Sequence, residues 1–262
     1  MTSAAMHIAR TGLDAQDTRM RVISNNLANV NTTGFKRDRA AFETLAYQVV
    51  TSPGAPSTSE TRYATGLNLG TGVRVQGTAR IDTQGSMQTT GNSLDLALDG
   101  DGYFQVQLPG GQLGYTRAGN FSRSPEGLLV TSEGYQVQPG ITVPEGATAI
   151  TIGTDGTVSA TVAGQTEASE LGQIQVASFA NGAGLQPAGD NYLTETAASG
   201  AANLGVAGLE GRGRVRQGML EASNVNVVEE LVDMIETQRA YEVNSKMISA
   251  TDDMLKYVNQ NL

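Results

Sequence analysis

An α+β fold is predicted, with N- and C-terminal helices paired in a coiled-coil-like layer and a β-rich, antiparallel domain between them. Three observations lead to it. Glycine and proline, which cost a helix interior about 1 and 3 kcal/mol respectively, avoid both ends: all seven prolines lie between Pro53 and Pro187, and 30 of the 32 glycines between Gly54 and Gly218. Both ends carry apolar residues at heptad spacing. The middle carries short alternating runs bounded by turn residues.

Residues 1–33 contain only Gly12 and are assigned to the N-terminal helix. Met6, Leu13, Met20 and Leu27 recur every seven residues, with Ala9, Gln16, Ile23 and Val30 three positions after each. This is an a/d seam, and Met6, Leu13, Met20, Ile23, Leu27 and Val30 are its candidate assembly residues. Residues 34–85 read as an extended connector. Its stretch from Thr51 to Gly72 is rich in Ser, Thr, Gly and Pro with few apolar residues, which predicts an extended or flexible loop.

Residues 86–190 are assigned to the β-rich domain. Leu94 to Leu98, Tyr103 to Leu108, Ala149 to Ile152, Val158 to Val162 and Ile174 to Phe179 alternate as strands do. Pro109-Gly110-Gly111 and Asp155-Gly156 sit where hairpin turns belong. Residues 191–218 read as a returning linker, with a second turn-rich stretch from Ala197 to Gly218.

From Met219 to Leu262 there is neither glycine nor proline, so 219–262 is assigned to the C-terminal helix and its flank. Asn226 followed by Glu229 reads as an N-cap with its capping-box partner, which starts the helix there. Val227, Met234, Tyr241, Ile248, Leu255 and Leu262 hold one heptad row, with Leu231, Met247 and Met254 beside it. Val227, Leu231, Met234, Tyr241, Ile248, Leu255 and Leu262 are the second set of candidate assembly residues. An amphipathic helix packed on its own domain's core gives the same stripes. Two facts favour assembly: the stripes lie at opposite ends of the chain, and their charges are opposite. Residues 1–39 carry six basic and three acidic groups, net +3; residues 219–262 carry three basic and eight acidic, net -5. Two such helices attract each other modestly, in a salt-dependent way.

The overall net charge of -9 repels a phosphate backbone, so no nucleic-acid partner is expected. No cysteine is present, which removes disulfides, thiolate metal sites and a cysteine nucleophile; a lone His7 leaves little for a serine–histidine triad. Asp99, Asp101 and Gly102 resemble the start of a calcium loop, but the twelfth position holds Gly110 where a glutamate is needed. A tight turn between Leu94 to Leu98 and Tyr103 to Leu108 fits better. Gly66, Gly70 and Gly72 match neither phosphate-binding spacing. Glu229-Glu230 and Asp252-Asp253 are helical neighbours about 100° apart, so neither forms a close carboxylate dyad. Arg212, Arg214 and Arg216 alternate with small residues, as in a linker or extended strand. No cofactor, metal or catalytic site is expected. Nor does the opening MTSAAMHIARTGLDAQD contain a cleavable signal peptide.

Ser24 to Lys36 reads SNNLANVNTTGFK and Ala222 to Ile248 reads ASNVNVVEELVDMIETQRAYEVNSKMI. Both resemble the terminal signatures of the flagellar rod and hook protein family. Gly100 to Val106, GDGYFQV, and Tyr115 to Phe121, YTRAGNF, are similar to landmarks of that family's β domain. By this resemblance Asn25, Asn26, Leu27, Ala28, Asn29, Gly34 and Phe35 are signature residues. It also implies that the terminal helices form the inner tube of a hollow helical homopolymer. The chain's length and the stretch from Tyr47 to Gly72 are similar to distal members of the rod branch, in which such an insertion locks subunits into a straight shaft. The resemblance further implies a rod spanning the periplasm and export by the flagellar type III apparatus without a cleaved signal. Implied partners are further copies of the chain, proximal rod proteins, hook or hook-adjacent proteins, the rod cap, and the P and L rings. The hook protein or another rod protein, a secreted β-rich adhesin and an enzyme are the alternatives. An isolated helix is marginal in water, so monomer helicity is expected to fall short of the roughly 70 helical residues counted and to rise on polymerisation.

Overall fold

The computed structural model describes residues 2–56, 58, 61–162 and 168–260. The chain divides into two compact units: residues 1–27, 38–79 and 226–262 form one, residues 28–37 and 80–225 the other. Leu262 lies outside the described residues.

The helical unit contains α1 (Thr2–Ala28), β1 (Asp38–Thr44), β2 (Tyr47–Thr51), β3 (Leu67–Gly70), β4 (Val73–Arg80) and α2 (Val227–Gln260). α2 starts at the expected cap: Asn226 Oδ1 accepts Val228 N–H at 3.0 Å, and the Asn226 carbonyl takes the first helical bond from Glu230 at 3.0 Å. α1 ends earlier than residue 33. Thr32 N–H turns back to the Asn29 carbonyl, Phe35 N–H to that of Thr32, and Gly34 stands at φ +68°, so Val30 lies in a turn.

β1 pairs with β4, supported by Arg74 on Glu43 at 2.8 Å. β2 and β3 pair antiparallel, Tyr47 opposite Gly70, with a bulge between Val49 and Thr51. The stretch from Thr51 to Gly72, expected as a loop, therefore returns through β3 to close a β-ribbon with β2. Gly54 N–H on the Tyr63 carbonyl and Tyr63 N–H on the Ala55 carbonyl close its tip.

In the β body, described in chain order, come β5 (Met87–Thr89), β6 (Leu96–Asp99), β7 (Tyr103–Gln107), β8 (Leu113–Thr116), β9 (Ser122–Arg123), β10 (Leu129–Val130) and β11 (Gln136–Val137). Then follow β12 (Ala147–Ile152), β13 (Thr157–Val162), β14 (Ser169–Gln173), β15 (Gln175–Ser178), β16 (Gln186–Gly189), β17 (Tyr192–Thr194), β18 (Asn203–Val206), β19 (Arg214–Gln217) and β20 (Met219–Glu221). The main sheet runs β16-β17-β8-β7-β11-β10-β9, and β15 joins it on β7 and carries β18. A second sheet runs β12-β13-β14, while β19 pairs with β6 and β20 with β5. The expected turns at Pro109 to Gly111 and Asp155-Gly156 connect β7 to β8 and β12 to β13.

The bend between β6 and β7 is present, with Gly100 at φ +112° and Gly102 at φ +130°. Its strands nevertheless take different partners: Leu98 faces Val215, and Phe104 faces Thr116. The chain at Gly102 runs so close to β15 that a Cβ there would lie 2.3 Å from Val176, which aligns β7 with β15 instead of folding it back on β6. Of the alternating arginines, Arg214 and Arg216 lie on β19, and Arg212 forms an isolated bridge with Asp101. Met219–Glu221, grouped with the last helix from sequence, is a strand because its backbone pairs with β5. Residues 191–218, read as a linker, supply β17, β18 and β19.

Both hydrophobic clusters of the described residues lie in this body. The larger gathers Leu96, Leu98, Phe104, Val106, Val176 and Val215, with Phe121 edge-on to Phe104 at 5.2 Å. The smaller is built on Tyr103, Tyr115 and Leu185.

Candidate assembly surface

α1 and α2 pair antiparallel. Asn26 Nδ2 donates to Glu230 at 3.2 Å, Arg19 meets Asp233 at 3.0 Å, and a Cβ at Gly12 would touch Asn244 Nδ2 at 3.0 Å. As α1 is followed backward from 26 to 12, α2 runs forward from 230 to 244. The absence of a side chain at Gly12 lets the helices approach there.

On α1 the predicted seam is largely covered. Ala9 and Ile23 are buried, and Met6, Leu13, Met20 and Leu27 are half-buried, as is Val30 in the turn beyond the helix. On α2 the predicted row is not the buried one. Glu230, Thr237 and Thr251, seven or fourteen residues apart, are buried, with Thr237 fully covered. Of the predicted row, Met234, Ile248 and Leu255 are half-buried, whereas Val227, Leu231 and Tyr241 are exposed, Tyr241 by 43%. Heptad spacing identifies parallel rows equally well; the close approach at Gly12 and the buried Asn26 select the polar, small-residue row instead.

A second apolar stripe was missed. Val228, Val232, Ile235 and Val243 follow at helical spacings and are exposed, Val228 by 69%, as is Tyr257 by 70%. At 3.6 residues per turn this stripe lies roughly opposite Thr237. Its i, i+4, i+7 pattern is legible in the sequence, hidden by the more regular row beside it. The ribbon is similarly uncovered: Tyr47 (62% exposed), Val49, Val50, Leu67 and Leu69 all face solvent.

The signature segment has a local physical basis. Asn26 is buried, Leu27 and Asn29 half-buried, and Asn25 and Ala28 exposed. Thr32 caps the turn by donating its hydroxyl to Asn29 Oδ1 at 3.1 Å. Gly34 donates its N–H to the Glu221 carbonyl at 2.8 Å, and a Cβ there would lie 2.5 Å from the Arg117 backbone, so only glycine fits. Phe35 is half-buried. Next to it, buried Lys36 meets Glu221 at 2.6 Å. Burial lowers the Lys36 pKa from its ordinary 10.5, against the opposing pull of Glu221. Neither this pair nor Arg117 stood out in sequence, because the partners are far apart along the chain.

No helix among the described residues is long and apolar enough to cross a membrane. What these parts form together is a β body with paired terminal helices that leave apolar surface uncovered. Three family models match segments of the chain: "Flagella basal body rod protein" at residues 6–36, "Flagellar hook protein FlgE/F/G D1 domain" at 97–160, and "Flagellar basal body rod FlgEFG protein C-terminal" at 216–261. Flagellar basal-body rod protein FlgG of Buchnera aphidicola subsp. Acyrthosiphon pisum is 50% identical over 98% of both chains. FlgG of Caulobacter vibrioides is 48% identical over 98% of both, and FlgG of Bacillus subtilis 38% over 94% of both. The chain belongs to the flagellar basal-body rod protein family, whose members are structural proteins and not enzymes. Within that family it is most like FlgG, the distal rod protein.

Proposed function

We propose that this chain, as a structural subunit of the distal rod, polymerises into a rigid hollow helical shaft through the apolar surface of α2. One observation carries the reading: on α2 the outer apolar stripe and Val227, Leu231 and Tyr241 of the predicted row are exposed in the single chain, while Met234, Ile248 and Leu255 are half-buried. An apolar stripe on a helix is normally covered by a neighbouring element. Full burial of each such Val, Leu or Ile is worth about 1.5–3 kcal/mol. A contact of one surface with a different one, repeated without closing, extends into an open helical polymer. The shaft so formed transmits torque from motor to hook and serves motility.

The ribbon is the proposed second contact, holding neighbouring subunits in one straight arrangement. Proximal rod proteins, hook or hook-adjacent proteins, the rod cap and the P and L rings are the proposed partners at the ends and along the shaft. The proposed place is the basal body across the periplasm, reached through the type III export apparatus.

The test is polymerisation of the purified full-length chain, followed by sedimentation and electron microscopy, against Leu231→Glu and Val232→Glu. Each variant is expected to keep the monomer's circular dichroism and to raise the concentration needed for polymer at least tenfold, about 1.4 kcal/mol. Polymer at the wild-type concentration in both variants refutes the assignment.

A further inference from the structure

Three runs of chain leave the β body: after Arg37, before Arg80 and after Val225. Within the body, all three are fastened at one place. Asn224 Oδ1 accepts the Arg37 N–H at 2.8 Å, while its Nδ2 donates to the Ile81 carbonyl at 2.8 Å and the Thr83 carbonyl at 3.0 Å. The backbone adds Ile81 N–H on the Arg37 carbonyl at 2.9 Å and Asn224 N–H on the Phe35 carbonyl at 3.4 Å. The adjoining buried pair ties the same three segments: Lys36 Nζ meets Glu221 at 2.6 Å and the Thr83 carbonyl at 2.7 Å. Glu221 also accepts the Gly85 N–H at 3.0 Å, and the Arg117 guanidinium lies 3.5 Å from its other oxygen.

We infer that Asn224, backed by the buried Lys36–Glu221 pair, is a positioning residue that gathers the three connecting runs into one collar. A single run turns about its own φ and ψ angles; three runs fixed at one point restrict one another. An asparagine suits the place because its amide presents an acceptor and two donors on one short arm. The buried pair is sequestered from solvent, and removing either charge alone leaves its partner buried without it, which is costly. That the collar carries load rests on the proposed shaft; that it gathers the three runs does not.

Amide hydrogen exchange and limited trypsin digestion of the dilute full-length monomer test it, and neither requires polymer. In Asn224→Ala the Arg37 and Ile81 amides are expected to exchange at least tenfold faster, and trypsin to cut after Arg37 and Arg80 faster. The Phe104 and Val106 amides should keep wild-type protection. Asn224→Asp, which keeps the acceptor and loses the donor, should protect Arg37 better than alanine does. If Asn224→Ala does not fold, Asn224→Asp is read directly against wild type: losing the bonds donated to the Ile81 and Thr83 carbonyls, it is expected to speed exchange at Ile81 and cutting after Arg80. Wild-type exchange and cutting at these positions overturn the inference, as does loss of protection spread equally through β7.

Discussion

Asn26 uses its amide in every direction available. Its Oδ1 accepts the Asp38 N–H at 2.9 Å, and its Nδ2 donates to the Asp38 carbonyl at 2.9 Å and to Glu230 at 3.2 Å. A buried asparagine at a helix seam fixes register at some cost in stability. Because one acceptor is charged, Asn26→Ala is expected to lower the stability of the helical unit by about 2–4 kcal/mol, read from urea unfolding by far-ultraviolet circular dichroism. A loss below half of the lower bound would mean the amide only fills space. In the β body, Tyr103 carries a different signature. Burial first, and then the charge of Asp82, push its hydroxyl up from 10.0 to about 12. The folded state keeps a proton that the unfolded chain releases, so this stability is complete below pH 10 and is lost as pH rises through 12. Tyr103→Phe is expected to flatten that alkaline fall, by at most about 3 kcal/mol; an unchanged pH profile would rule the tyrosine out as its source.

The ribbon of β2 and β3 is the element whose surroundings are least settled within one chain. Two strands alone are marginal in water, and here apolar side chains stand exposed along both. Val49→Lys with Leu69→Lys is therefore expected to leave monomer stability within about 0.5 kcal/mol while weakening the polymer. An equal loss of both would place the ribbon in the monomer's own core. Sequence located the helices, the Asn226 cap and the hairpin turns because these depend on neighbours a few residues away. It missed the ribbon because its returning strand offers only Leu67 and Leu69, set among glycine, threonine and asparagine. It also missed the pairing of β6 with β19, which joins Leu98 to Val215 across more than a hundred residues. On α2, periodicity offered several rows, and only the approach of α1 at Gly12 and Asn26 determines which one is covered.

Stability is distributed unevenly through the whole molecule. Both hydrophobic clusters belong to the β body, whereas the helical unit buries Ala9, Ala15 and Ile23 on α1 and mainly Glu230, Thr237 and Thr251 on α2. Small and polar side chains remove little apolar area from water, so the helices of 27 and 34 residues depend on few internal contacts. Two units so unlike in core do not melt as one. Heating the dilute monomer should give two transitions: an early loss of helical circular dichroism, then a later loss of the near-ultraviolet signal from Tyr103 and Tyr115. Polymerisation binds only the folded helices, so it should raise the first transition and leave the second nearly fixed. The gain follows mass action, about 2.7 kcal/mol at a free-subunit concentration a hundred times the dissociation constant. Helicity would then increase with assembly, consistent with a chain that completes its folding at the growing end of the shaft. One cooperative transition in the dilute monomer, with both signals lost together, would show that the helices draw their stability from the body and not from neighbouring subunits.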